Sequence, residues 1–220
     1  MSRSRALQHF PSIAISLSST CTTAWVLRDV AALERRASLL VQLAHEQGYA
    51  FWEARGRCYA GWTAAQAGRL DQAVEFLTAG ITALRSSGVT LYLPSAHVML
   101  AEVYRLREET AAAVHALDEA SNIVAQTGEC WCEAEIYRAI AGLRDDPSAA
   151  EPLLTRAMTL ARSRSSKVFE LRAAQDLARL WATNNRQLEA RSLLAPLRNE
   201  LLADLALADL PEARELLLQL

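Results

Sequence analysis

Glycine and proline are scarce in this chain, at 8 and 6 of 220 residues, and aromatic side chains make up only 6%. With valine and isoleucine thin as well, too little is left to furnish a sheet-rich fold, whose strands draw on those residues. A dominant charge is missing too. Lys and Arg number 23 against 25 Asp and Glu, a formal net charge of -2, so no global basic field exists to attract nucleic acid or an anionic membrane. The four cysteines, Cys21, Cys58, Cys130 and Cys132, are too few and too scattered for a disulfide scaffold. Reduced, mostly buried thiols in a cytoplasmic protein are the expectation. No window approaches the ~20 apolar residues of a membrane span. The opening MSRSRALQHFPSIAISLSSTC has Arg3 and Arg5 but lacks the dense apolar core and small-residue cleavage site of a secretory signal.

Alanine and leucine dominate what is present, and they recur with a period. Four segments align: GWTAAQAGRLDQAVEFLTAGITAL from Gly61, AEVYRLREETAAAVHALDEASNIV from Ala101, DDPSAAEPLLTRAMTLA from Asp145, and ARLWATNNRQLEARSLLAPL from Ala178. In this register a small residue opens each second helix at Ala73, Ala113, Ala150 and Ala190, and leucine follows four residues later at Leu77, Leu117, Leu154 and Leu194. A second small residue comes at Gly80, Ala120 and Ala157, where Leu197 breaks the rule. Antiparallel helices approach closely only where side chains are small, and the leucines between fill the remaining volume. Twelve residues before the first alanine lies Gly61, Ala101 or Ala178; the third segment has Arg138 there, which predicts an offset first helix. RDVAALERRASLLVQLAHEQGY, from Arg28, reads as the second helix of an earlier repeat with Ala37 at its small position. Gly68 past a helix end, and Asp145 and Asp146 ahead of Pro147, supply the turn chemistry.

This pattern resembles the tetratricopeptide repeat, a helix-turn-helix unit with small residues at its eighth, twentieth and twenty-seventh positions. The spacing of 40, 37 and 40 residues here exceeds the family's 34, with the extra residues expected between repeats, in SSGVTLYLPS and AQTGECW. Tyr104 and Trp181 match the large aromatic of the eleventh position, whereas Ala64 and Ala141 depart from it. Over nearly the whole chain, AHEQGYAFWEARGRCYAGWTAAQAGR, TGECWCEAEIYR and FELRAAQDLARLW also resemble the C-terminal repeat region of bacterial proteins that join a class III adenylate/guanylate cyclase domain to an ATPase.

The fold expected is all-α, an α-α superhelix: a tetratricopeptide-like solenoid of about five helix pairs and roughly eleven helices. Its parts would be a flexible N-terminus over 1-10, a repeat array over 11-208 with approximate repeats 11-49, 50-88, 91-127, 130-166 and 167-208, and a C-terminal capping helix over 209-220 begun by Asp209 and Pro211.

Catalytic signatures are missing. Gly56 and Gly61 have the spacing of a phosphate loop, but Trp62 and Thr63 follow where Lys and Ser or Thr are required. Cys130 and Cys132 are separated by one residue, Trp131, instead of the two of a zinc knuckle or redox pair. They read as a turn opening a helix on which Trp131 packs inward. His9, His45, His97 and His115 show no ligand spacing, and no nucleophile elbow exists. RSRSSK, Arg162 to Lys167, reads as a solvated helix end.

No catalytic residue, cofactor or metal is therefore expected. The tetratricopeptide resemblance implies a non-enzymatic interaction or regulatory module that holds a peptide or helix on a concave face lined by first helices. Its geometry nominates Arg55, Trp62, Glu102, Arg105, Glu135, Arg172, Gln175 and Arg179 as partner-binding residues. The longer resemblance implies a bacterial signalling context and a cyclase or ATPase partner. The alternatives are a detached C-terminal fragment of such a protein without independent activity, and an enzyme whose site the sequence does not disclose. An uncovered apolar end at the first helix predicts self-association there.

Overall fold

A computed structural model describes residues 9-202 together with Glu215, Leu216, Leu218 and Gln219. Residues 1-8 and most of the expected capping segment lie outside the described residues. Within them the chain is all-α, with ten helices and no strand: α1 Phe10–Val26, α2 Val30–Glu46, α3 Ala50–Gln66, α4 Leu70–Ser86, α5 Leu93–Leu106, α6 Thr110–Thr127, α7 Glu133–Ala141, α8 Pro147–Ser163, α9 Lys167–Thr183 and α10 Gln187–Leu202. They fall into two compact units, Met1–Glu129 and Cys130–Leu220. No helix among the described residues is long and apolar enough to cross a membrane.

In the first unit the turns keep time. A residue in the left-handed region recurs every 20 positions, at Arg28, Gly48, Gly68, Gly88, Glu108 and Gly128, with φ between +52° and +77°. Most of these turns share one hydrogen-bond pattern. Around Gly68, the Gly68 N–H donates to Ala65 O at 3.0 Å and the Arg69 N–H to Ala64 O at 2.9 Å; around Gly48, Tyr49 N–H reaches Ala44 O at 2.8 Å. These bonds satisfy carbonyls that a helix end leaves open, and glycine adopts the required φ without a Cβ clash. Helices α1 to α4 are each 17 residues long. Seventeen helical residues plus a three-residue turn give 20, and two such units give the 40-residue period. Between repeats the turns lengthen where the sequence suggested: 87–92, within SSGVTLYLPS, and 128–132, at the end of AQTGECW, are longer than the three-residue turns at 27–29, 47–49, 67–69 and 107–109. Asp29 caps α2 by accepting from the Ala32 N–H at 2.9 Å, and Asp146 caps α8 through the Ser148 N–H at 2.9 Å.

The small-residue columns mark where helices meet. Gly80 lies so close to α3 that a Cβ there would sit 2.9 Å from the Ala54 carbonyl oxygen and 2.6 Å from Cys58 Sγ; a Cβ at Gly61 would be 2.9 Å from Leu77 Cγ. Both Gly56 and Gly61 lie inside α3, which gives them helix packing in place of a phosphate loop. Ala73, Leu77, Ala113, Leu117, Ala120, Ala150, Leu154, Ala157, Ala190 and Leu194 are all buried. The first pair inverts the order. Leu33, Ala37, Leu40 and Ala44 stand 40 residues before Ala73, Leu77, Gly80 and Leu84, and all four are buried. Ala37 therefore occupies the large position, one turn past the small position assigned to it. Helix α7 is short, nine residues, and Ala141 takes the small position: it packs with Ala150, Leu154 and Leu177.

Candidate functional site

First helices of the pairs, α3 and α5 in one unit and α7 and α9 in the other, carry the nominated side chains. Most prove to be internal. Arg55, on α3, is 3% exposed. Its guanidinium donates to the hydroxyls of Ser18, Thr22 (3.0 Å) and Tyr59 (2.6 Å), and stacks 3.3 Å from the Tyr92 ring centroid. Hydroxyl oxygens and π faces stabilise this buried cation, and no carboxylate among the described residues pairs with it. Burial pushes the neighbouring thiols of Cys21 and Cys58 up to about 12, against the lowering pull of Arg55. Tyr92 stands at φ +73° before α5, a left-handed conformation unusual for an aromatic residue; its N–H donates to Glu129 Oε1 at 2.6 Å.

Trp62 is fully buried. Its indole Nε1–H donates to Glu102 Oε2 at 3.0 Å, and Arg28 donates to Glu102 Oε1 at 2.9 Å while lying 5.7 Å from the Trp62 ring centroid. Glu102 is half-buried in this cluster, and Arg105, one turn on, is exposed.

In the second unit Glu135, 1% exposed, accepts two bonds of 3.0 Å from Arg138 and faces Arg172 at 3.7 Å. Arg138 also donates to Asp176 at 2.8 Å, and Asp176 receives Arg179 at 2.8 Å. Burial disfavours the Arg138 charge, but Glu135 and Asp176 outweigh it and raise its pKa. Arg172 and Gln175 are buried; Arg179 is partly exposed. Of the eight nominated residues, then, five are internal, and Glu102, Arg105 and Arg179 reach the surface.

One cluster had no sequence reading. Trp181 Nε1–H donates to Glu151 Oε1 at 2.8 Å, Arg186 donates to Glu151 Oε2 at 2.8 Å, and the Arg186 guanidinium lies 4.6 Å from the Trp181 ring centroid. It repeats the Trp62, Glu102 and Arg28 arrangement with different helices. The shared signal is a tryptophan near the end of a first helix and an arginine in a turn.

Cys132 is buried ahead of α7 and Cys130 is half-buried; neither is in a disulfide. Trp131 is partly buried, 6.5 Å from the Phe169 ring centroid. No group of three or more His, Cys, Asp or Glu among the described residues could hold a metal ion. The basic run at the end of α8 is engaged in ion pairs: Arg162 and Lys167 with the buried Glu170 at 2.8 and 3.3 Å, Arg164 with Glu133 at 2.6 Å.

Solved structures with this helix arrangement exist. A putative kinesin light chain from Podosopora anserina, described as nearly identical TPR-like repeats, superposes with a TM-score of 0.53 at 19% identity, covering 86% of this chain and 95% of that one. A variant of the same protein gives 0.54 at 18%, covering 86% and 94%. BtubC (BKLC) from P. vanneervenii gives 0.58 at 14%, covering 87% and 89%. The fold is that of tetratricopeptide-like repeats. No protein-family model matches the sequence, and no curated protein does.

Proposed function

We propose that this chain is a non-enzymatic interaction module that seats a peptide or helix of another protein against the first helices of its repeats. The observation that carries the reading is the division of labour on those helices. Arg55, Trp62, Glu135, Arg172 and Gln175 brace them from inside, while Glu102, Arg105 and Arg179 reach the surface. Binding surfaces gain specificity from polar groups held in place by buried neighbours, and arginine is among the residues that dominate hot spots. Repeat stacks with this fold offer extended surfaces for peptides. The partner proposed is a signalling protein of the cyclase or ATPase kind, on the strength of the text resemblance.

The test is affinity capture from the source cell's lysate with wild type and with the Arg105→Glu, Arg179→Glu double variant, followed by identification of retained proteins. A protein held by wild type and lost by the variant supports the reading. Equal retention by both baits, or nothing specific on either, overturns it.

A further inference from the structure

The 40-residue period singles out one row of residues on α1. Pro11, Ile15, Ser19 and Thr23 follow one another at intervals of four, and all are exposed, Ile15 at 52%. In α3, one period on, Arg55, Tyr59 and Thr63 take the places of the last three, and all three are buried. In α5, a further period on, so are Ser95, Met99 and Val103. The preceding first helix supplies cover for the row of α3. Arg55 donates to Ser18 and, at 3.0 Å, to Thr22, and the Tyr59 and Thr22 hydroxyls lie 2.8 Å apart. The row is therefore an interface position of this stack, one that meets another first helix, and on α1 it is exposed.

The chemistry of α1 narrows what can cover it. Its sequence, FPSIAISLSSTCTTAWV, has no Asp, Glu, Lys, Arg or His, alone among the ten described helices. The row offers no counter-charge, so a partner helix that laid a charge on it would bury that charge unpaired. It calls for an uncharged helix, and this chain carries one. Its threonine donors are already committed. Thr20 Oγ1 donates to Ser16 O at 2.9 Å and Thr23 Oγ1 to Ser19 O at 3.1 Å, so covering the row strands neither.

We propose that α1 pairs with α1 of a second copy of this chain about a two-fold axis. A two-fold contact sets each residue of a patch against a residue of the same patch, so a charge near the axis meets its own sign; α1 has none to meet. With the axis level with Leu17, an antiparallel crossing sets Ile15 of each copy on Ser19 of the other, large against small. Rows at intervals of four interdigitate in this way at the commonest helix crossing. Arg105 and Arg179 take no part in the contact, so it and the peptide face of the preceding section can fail separately.

Sedimentation velocity of the full chain over a concentration series tests this. Wild type is expected to show a monomer–dimer equilibrium. Ile15→Glu and Ile15→Lys, whose thermal melts should match wild type because Ile15 is exposed, should each weaken it about tenfold or more. An equimolar mixture of the two variants should recover the dimer at low salt and lose it at high salt, because opposite charges then face each other across the axis. A wild type that stays monomeric up to about 0.1 mM overturns the proposal, as does a dimer that Ile15→Glu leaves intact. So does a dimer that Ile15→Glu breaks and the mixture fails to restore, which would set α1 against a different surface of the second copy.

Discussion

The indole N–H of Trp62, on α3, is held by the Glu102 carboxylate of α5 at 3.0 Å, so that two first helices of successive pairs share a part-buried hydrogen bond. Arg28, from the turn before α2, takes the other carboxylate oxygen at 2.9 Å. One acid thereby ties three segments of the first unit together. A donor buried without an acceptor forfeits its hydration and gains nothing in return.

Glu102→Ala should therefore destabilise the chain by about 1–3 kcal/mol, read as a fall in the urea midpoint. In a Trp62→Phe background the N–H no longer exists, and the same substitution should matter less. Equal effects in both backgrounds would show that the indole bond contributes nothing.

Gly80→Ala tests the closest approach in the first unit. The new methyl would meet a backbone oxygen, Ala54 O, at 2.9 Å, and backbone cannot swing aside as a flexible side chain can. Overpacking of this kind costs about 1–3 kcal/mol, even though alanine is the better helix former. A melting temperature equal to or above wild type would refute the tight α3–α4 packing at that point.

The columns Ala73, Leu77, Gly80 and Ala113, Leu117, Ala120 were legible because helix crossing demands small residues at fixed intervals. The inverted column Leu33, Ala37, Leu40, Ala44 was not, because exchanging large and small across an interface conserves volume and disguises the register. The candidate surface was harder still. Residue type alone sends arginine and glutamate outward, yet Arg55 is buried by hydroxyls of Ser18 and Thr22 on a different helix. Glu135 is buried likewise by Arg138 beside it and Arg172 on α9. Apart from Arg138, these partners lie on other helices far along the chain, beyond the reach of local pattern. Trp181 was legible as a repeat aromatic, but its joining with Glu151 and Arg186 was not, for the same reason: the bonds join α9, α8 and a turn.

Thiol chemistry offers a check on burial. Cys21 and Cys58 are buried, with pKa values pushed up to about 12 chiefly by desolvation. At pH 8 their thiolate fraction is on the order of 10⁻⁴, and the thiolate is the reactive form. Cys132 is buried as well, whereas Cys130 is half-buried. Of the four thiols, Ellman's reagent should modify Cys130 first on the native chain, with the other three appearing only in denaturant. Rapid labelling of Cys58 in the native state, mapped by mass spectrometry, would contradict the packing of α3 against α4.

His97 gives the stability a pH dependence whose sign can be worked out. It is buried on α5, and desolvation, followed by the nearby Arg85 charge, lowers its pKa from 6.5 to about 4; Glu119 opposes this and His115 adds to it. Above pH 6.5 the residue is neutral in folded and unfolded chains alike and contributes no slope. Between pH 6.5 and about 4 the unfolded chain binds a proton that the folded chain resists, so stability falls as pH falls. The full shift is worth about 3 kcal/mol at most. Replacing the imidazole by an amide, His97→Gln, removes the titrating group from that place and should flatten the dependence across this window, whatever it does to stability at pH 8. Urea midpoints measured from pH 8 down to pH 4 decide it. Parallel curves for wild type and His97→Gln would mean that His97 takes up its proton in the folded chain without resistance, in surroundings wetter than its 6% exposure on α5 implies.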